Sequence, residues 1–333
     1  MHISKIYKDK DACLKYIQSK KVGIIGFGNQ GKAQALNLRD SGVNVHIGGR
    51  RKGESLNKAQ ALGFEVGTIS DTVQSTDFIV LLIPDQIMSK VFESDILPYL
   101  RQGQSLCFSH GYNIHYKLIS PPDDVNVIMA APSGAGIELR RNYEKKSGIP
   151  GLFAIHQDFS KDSKELALSY CKGIGLTKIG AFESTFKEET ETDLFGEQVV
   201  LTGSIPKLLQ SSFKVLLDSG YSPLASWFVC YYELKTIVDM FHSKGFTFMN
   251  QAISDTAEYG GMTRGKRIVN DNVENEMRNI LKEIQSGDFH KEWMKESSEN
   301  FPVLSKLRNE EKNIPIEKIG KLILKELYGD VED

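Results

Sequence analysis

Between residues 21 and about 182 the chain alternates short apolar runs with longer polar stretches. The runs fall at 22–25, 43–47, 64–68, 78–83, 105–108, 125–130, 152–156 and 177–181. Short β-rich runs separated by helix-compatible segments read as βαβ units. The run Phe78-Ile79-Val80-Leu81-Leu82-Ile83 is apolar at every position, so neither face of that strand meets water. A parallel sheet covered by helices on both sides satisfies it. After Glu183 the period changes, and apolar spacing predicts helices over 184–202, 205–219, 222–242, 246–259, 271–286 and 315–327. Ser222 and Pro223 form an N-cap and N1 pair, and Gly287 suits a C′ position. The helix opening at Ser222 is apolar around nearly its whole circumference, which predicts burial in a bundle or at a subunit interface. The expected fold is an α/β Rossmann domain over 1–182, doubly wound around a mostly parallel sheet, followed by an all-α domain over 183–333.

A length of 333 residues agrees with two domains, each able to bury a core. The formal net charge is −2, and no block of like charges breaks the ordinary surface pattern, which leaves no footprint for nucleic acid. Cys13, Cys107, Cys171 and Cys230 are scattered and form no Cys-x-x-Cys pair, which points to a reducing compartment. The first ten residues have no apolar core for a signal peptide, and the longest apolar run, at 78–84, is too short for a bilayer. A cytoplasmic protein without membrane or nucleic-acid partners is expected.

Gly26-Phe27-Gly28-Asn29-Gln30-Gly31 follows the first long strand and opens a helix, the context that a dinucleotide fingerprint requires. Gly26 permits the tight turn, Gly28 lets backbone approach a pyrophosphate, and Gly31 allows close helix–sheet packing. The helix N-terminus supplies N–H groups to the phosphates. At the end of the second strand no acid is placed to receive a ribose 2′-hydroxyl. Instead Arg50, Arg51, Lys52 and Ser55 offer cations and a hydroxyl suited to a 2′-phosphate. NADPH is expected, with NADH as the alternative. Pro84, Asp85, His110 and Gly136 complete the candidate cofactor-binding set.

Within Phe186-Lys187-Glu188-Glu189-Thr190-Glu191-Thr192-Asp193-Leu194-Phe195-Gly196-Glu197-Gln198, the carboxylates of Asp193 and Glu197 are four apart and share a helix face. Either that face is solvated, or the two acids hold a cation, for which Mg²⁺ suits hard oxygen ligands. Gly196 costs the helix about 1 kcal/mol against alanine, which close approach of another group would offset. Glu233 is an acid in an otherwise apolar stretch, where an unpartnered buried carboxylate is expensive.

The segment 186–198 resembles the signature of ketol-acid reductoisomerases. So do Gly28-Asn29-Gln30-Gly31 with the helix after it, Ser109-His110-Gly111-Tyr112-Asn113-Ile114-His115, His156-Gln157-Asp158 and Ile253-Ser254-Asp255-Thr256-Ala257-Glu258-Tyr259-Gly260. The resemblance spans nearly the whole chain, at the length of the family's short form. It implies a Rossmann domain followed by a knotted helical domain that pairs with a second subunit to complete each active site. It also implies NADPH, two Mg²⁺ ions and a keto-acid substrate. In the family, alkyl migration and then hydride transfer convert 2-acetolactate-type compounds into 2,3-dihydroxy acids of isoleucine and valine biosynthesis. By this resemblance Asp193 and Glu197 match first-metal ligands, Glu233 a second-metal ligand, Ser254 a substrate contact and His110 an active-site histidine near the nicotinamide. A homodimer with shared active sites, or a higher oligomer, follows.

Two departures fall on the chemistry. Val229 stands where the family has a second glutamate, four residues before the position of Glu233, and Ser133 stands where it has an active-site lysine. Gly53 also replaces a family serine in the loop after the second strand. Alkyl migration needs the substrate oxygens held by both metals, a demand that a valine cannot meet. Reduction of a 2-keto or imino acid asks for less. The leading expectation is therefore an NADPH- and Mg²⁺-dependent reductase of this family with the alkyl-migration step in question. A full reductoisomerase converting 2-acetolactate to 2,3-dihydroxyisovalerate, and a non-catalytic dinucleotide-binding protein, are the alternatives.

Overall fold

A computed structural model describes residues 5–51 and 53–329. The chain forms two compact units, Met1–Thr192 and Asp193–Asp333, and the division falls inside a single helix, Phe186–Phe195.

The first unit is built on a nine-stranded sheet. Its strands are β1 (Ile6–Tyr7), β2 (Lys21–Ile25), β3 (Asn44–Gly49), β4 (Glu65–Thr68), β5 (Phe78–Leu81), β6 (Ser105–Phe108), β7 (Asn126–Pro132), β8 (Gly151–Gln157) and β9 (Ala181–Glu183). They lie in the order β1-β9-β8-β7-β6-β5-β2-β3-β4. From β4 across to β7 every pairing is parallel. β7 with β8 and β1 with β9 are antiparallel, so the sheet is mostly parallel, as expected. The chain winds outward from β2 to β4, then returns to β5 on the other side of β2. That reversal opens a crevice at the strand C-termini.

Strand alternation distributes the core between two faces. Val22, Ile24, Phe78 and Val80 join one apolar cluster, covered by the helices Asn29–Asp40 and Ser163–Ile174. Ile25, Ile79, Leu81 and Phe108 join the other, under Met88, Phe92 and Ile96. Both faces of β5 and β6 are therefore dry. The strand expected at 177–181 is corrected. A 3₁₀ turn at Leu176–Lys178 follows the left-handed Gly175, and the strand begins only after Gly180, whose φ of 151° is open to glycine alone.

The second unit is helical. Ser222 caps its helix through its hydroxyl, and Gly287 ends another with φ 77°. The expected helix over 246–259 is corrected. Its start holds, since the span Glu233–Ala252 is two helices joined across a kink at non-helical Gly245, but its end does not: a new helix, Asp255–Ile268, opens where the Ser254 hydroxyl accepts from the Ala257 N–H. Helices Asp288–Ser298 and Pro302–Glu311 were not expected from the periodicity. A small core joins Phe213, Trp227, Ile316 and Ile323. Of the two burials expected for the 222–242 segment, the chain's own bundle supplies only part, since Trp227 turns inward while Leu224, Val229, Tyr231 and Tyr232 are exposed in the single chain. Only one stripe of a helix can face its own subunit's core. Among the described residues no helix is long and apolar enough to cross a membrane.

Candidate functional site

The three glycines after β2 divide their duties. Gly26 has φ 101°, and a Cβ there would lie 2.4 Å from the Leu82 carbonyl oxygen. A Cβ on Gly31 would lie 2.3 Å from the Gly26 oxygen, so Gly31 serves packing. Around Gly28 nothing lies within 4 Å, so its missing side chain serves no contact within the chain and leaves room for a ligand. Gly28 is also the N-cap of the helix Asn29–Asp40 and provides no side-chain cap, so the first-turn N–H groups suit an anion.

Side chains around this loop fix it in place. The Phe27 ring packs in the core against Phe64 at 5.7 Å between centroids, so only its backbone serves the loop's outer face. The Gln30 amide donates to the Gly134 carbonyl at 2.9 Å, tying the loop to the segment after β7. Gln34 donates to Gln30 and to the Ser109 hydroxyl, and accepts from Tyr170 at 2.5 Å. Gly136 opens a helix whose N-terminus presses on the Asn29 and Gln30 backbone, with 2.2 Å from a virtual Cβ to the Asn29 oxygen.

Beside the glycine loop lies a cleft of about 1110 Å³. Arg50, Arg51, Ser55, Thr68 and Ser70 line one part of it, while Pro84, Ile87, Val91 and Asp95 line another. Cations and hydroxyls together suit a phosphomonoester. The nearby Asp71 carboxyl is held below its usual range, first by the Thr68 hydroxyl and in smaller part by Arg51. Glu54 pairs with Lys58 at 2.7 Å. Lys52 lies outside the described residues. Asp85 is turned to a structural contact, accepting from the Asn113 amide at 3.1 Å and so joining the segments after β5 and β6.

His110 follows β6 directly. Its Nδ1 lies 2.9 Å from Oε1 of Glu189, and the other carboxylate oxygen accepts from the Gly111 N–H at 2.7 Å. Glu189 is buried at 4% exposure. A carboxylate acceptor places the proton of a neutral imidazole on Nδ1 and its lone pair on Nε2. Gly111 makes the approach possible, since a Cβ would meet the Phe186 oxygen at 2.5 Å. His115 Nε2 stands 3.5 Å from Glu191, and burial holds its pKa below the ordinary value although Glu191 pulls upward. Glu189 was missed in the sequence. Its signal is the spacing of Glu189, Asp193 and Glu197, which repeats every four residues along one helix face.

In the helical unit Asp193, Glu197 and Glu233 are exposed in the single chain. Among the described residues of this chain nothing buries Glu233, as with the apolar side chains around it. From Gly196 to Leu201 the helix widens into a π segment, with the Thr202 N–H reaching back to the Glu197 carbonyl at 2.9 Å. A second π segment, Phe228–Tyr232, contains Val229 and leads into Glu233. Such segments recur where helices carry functional groups. Nothing lies within 4 Å of a Cβ built on Gly196, so no described group of this chain makes the close approach expected there, while the carboxylates of Asp193 and Glu197 are the hard oxygen ligands that a divalent cation takes. Ser254 is exposed, and its hydroxyl oxygen caps the helix that follows. Ser133 is exposed just after β7.

Two family models match the chain. One, described as the NADPH-binding domain of acetohydroxy acid isomeroreductase, matches residues 16–180, and one described as the C-terminal domain of ketol-acid reductoisomerase matches 186–327. A ketol-acid reductoisomerase (NADP(+)) of Methanocaldococcus jannaschii is 47% identical over 321 residues, 96% of this chain and 97% of that protein. The solved structure of an NADH-preferring ketol-acid reductoisomerase from an uncultured archean matches with a TM-score of 0.95 at 39% identity, covering 98% of this chain and 100% of the other. A putative oxidoreductase from Jannaschia sp. CCS1 shares the fold alone, with a TM-score of 0.63 at 16% identity over 81% of this chain and 98% of that one.

Proposed function

Because the chain belongs to the ketol-acid reductoisomerase family of NAD(P)-dependent oxidoreductases, which serves branched-chain amino acid synthesis, we propose that it reduces a 2-keto acid with NADPH and performs the alkyl migration poorly or not at all. The observation that carries this reading is the replacement of two charged family positions, by Val229 and by Ser133, in a chain that keeps the fingerprint loop, the basic cleft and the acidic helix. Imino acids are the nearest related substrates.

NADPH supplies the hydride. The Gly28 backbone and the helix N-terminus would take its pyrophosphate, with Gly26 making the turn and Gly31 the packing that place them, and Arg50, Arg51 and Ser55 would take the 2′-phosphate. Asp193 and Glu197, with Glu233 from a second subunit, would hold Mg²⁺, which lends Lewis-acid polarisation to the substrate carbonyl. Glu189 fixes the His110 ring, so a proton sits at Nδ1 and Nε2 is the basic atom. Ser254 uses its oxygen as an acceptor in capping, which leaves its O–H proton to donate to substrate. Loss of the glutamate at Val229 removes a carboxylate and adds apolar surface, which favours a substrate with an apolar side chain.

The exposed apolar side chains around Glu233 support a homodimer with shared sites, and the absence of a membrane-crossing helix among the described residues agrees with a cytoplasmic enzyme. A monomer by sedimentation would contradict the shared site. The second reading, a full reductoisomerase, is favoured by the 47% identity to a protein of that name. Joint substitution of Val229→Glu and Ser133→Lys distinguishes them. The proposal expects acetolactate conversion to rise at least about tenfold, whereas loss of conversion from a fast wild type would sink it.

A further inference from the structure

A cleft built for a polyanion contains a carboxylate that none of the phosphate-binding roles explains. Two acids line it, Glu54 and Asp95. Glu54 is highly exposed and turned to Lys58 at 2.7 Å. Asp95 is half-buried, its Oδ2 accepts from the adjacent Ser94 hydroxyl at 2.6 Å, and it arrives differently. The helix Asp85–Val91 continues as a π segment, Phe92–Ile96, whose Phe92 and Ile96 are locked in the core. Ile87, Val91 and Asp95 follow one another at intervals of four residues and line the cleft, so this wall presents two apolar side chains and then a carboxylate. Here too a π segment brings an acid to a candidate site.

An ionised carboxylate only accepts hydrogen bonds, and beside phosphates it is repelled unless a donor faces it. The glycine loop takes the pyrophosphate, and the Arg50–Ser55 loop takes the 2′-phosphate. What remains for the opposite wall is the base, an apolar plate whose edge bears an amino group with two N–H donors. We propose that Asp95 accepts from the 6-amino group of adenine while the plate lies on Ile87 and Val91, making Asp95 the residue by which this protein reads the base. The inference rests on the cleft being the NADPH site.

Hypoxanthine carries a carbonyl oxygen where adenine carries the amine, so it turns the donor into an acceptor. The test is titration of the full-length protein, followed by nicotinamide fluorescence, with NADPH and with its hypoxanthine counterpart. The wild type binds NADPH about tenfold more tightly, because a site built for a donor rejects an analogue that lacks it. In Asp95→Asn the amide can donate to the carbonyl, and the preference levels or inverts. Equal binding by the wild type, or an unchanged preference in Asp95→Asn, overturns the role of Asp95. Failure of the wild type to bind either dinucleotide overturns the cofactor reading beneath it.

Discussion

The sheet unit and the helical unit solve the burial problem differently. In the sheet unit two apolar clusters close over both faces of the central strands, and every residue lining the candidate cofactor cleft belongs to that unit. The helical unit gathers its tightest packing around four side chains. Among the described residues it exposes nineteen large apolar side chains, against eight on the longer sheet unit. Its three candidate metal-binding carboxylates stand on that same uncovered unit. The sheet unit thus carries its candidate binding cleft by itself, while the helical unit leaves much apolar surface uncovered in the single chain. Binding and chemistry should therefore separate under mutation.

The largest separation is expected from Asp193→Asn. Turnover falls on the order of a thousandfold while NADPH affinity stays within about twofold, measured by steady-state kinetics beside fluorescence titration. Equal loss in both would deny the division of labour. Within the sheet unit, Gly28→Ala and Gly31→Ala sharpen it further. The first adds a methyl where nothing lies within 4 Å, so NADPH binding weakens about thirtyfold with Tm unchanged. The second drives a methyl to 2.3 Å from the Gly26 oxygen and lowers stability by about 2 kcal/mol, read from denaturant midpoints.

The smallest effect tests the closed core itself. Burial, aided by Lys21, holds the His46 imidazole below its ordinary 6.5, although Glu65 pulls the other way. Neither ring nitrogen has a hydrogen-bond partner. The unfolded chain therefore binds more protons than the folded one as pH falls below that value, and stability is lost in that direction. Thermal melts from about pH 7.5 down to about pH 5 should show a fall that His46→Leu reduces by about 2 °C. An identical slope in the variant would exclude His46 as its source.

Legibility in the sequence follows the range of the interactions. The strand at 105–108 and the caps at Ser222 and Gly287 were readable because each is written in a few adjacent residues. The two-residue β1 was not, since it is held only by pairing with β9 across the chain. Gly245 reads as a helix stop, and its φ of 82° and ψ of 171° do break the helix there, while the second boundary, at the Ser254 hydroxyl cap, lay inside the expected 246–259 helix. The acidic helix announced Asp193 and Glu197 by spacing, yet the partner that gives Glu189 its role is His110, 79 residues away. The π segments have no pattern of their own in the sequence, because they arise from a one-residue shift in backbone hydrogen bonding.

The central claim is that the reductive half of the family's reaction survives here and the migratory half does not. It is tested most directly by following NADPH oxidation by the wild-type protein, with Mg²⁺ present, on two substrates side by side. One is 2-acetolactate, and the other is the already rearranged 3-hydroxy-3-methyl-2-oxobutyrate. The account predicts turnover of the rearranged keto acid at least about a hundredfold faster than that of acetolactate; comparable rates on the two would contradict it.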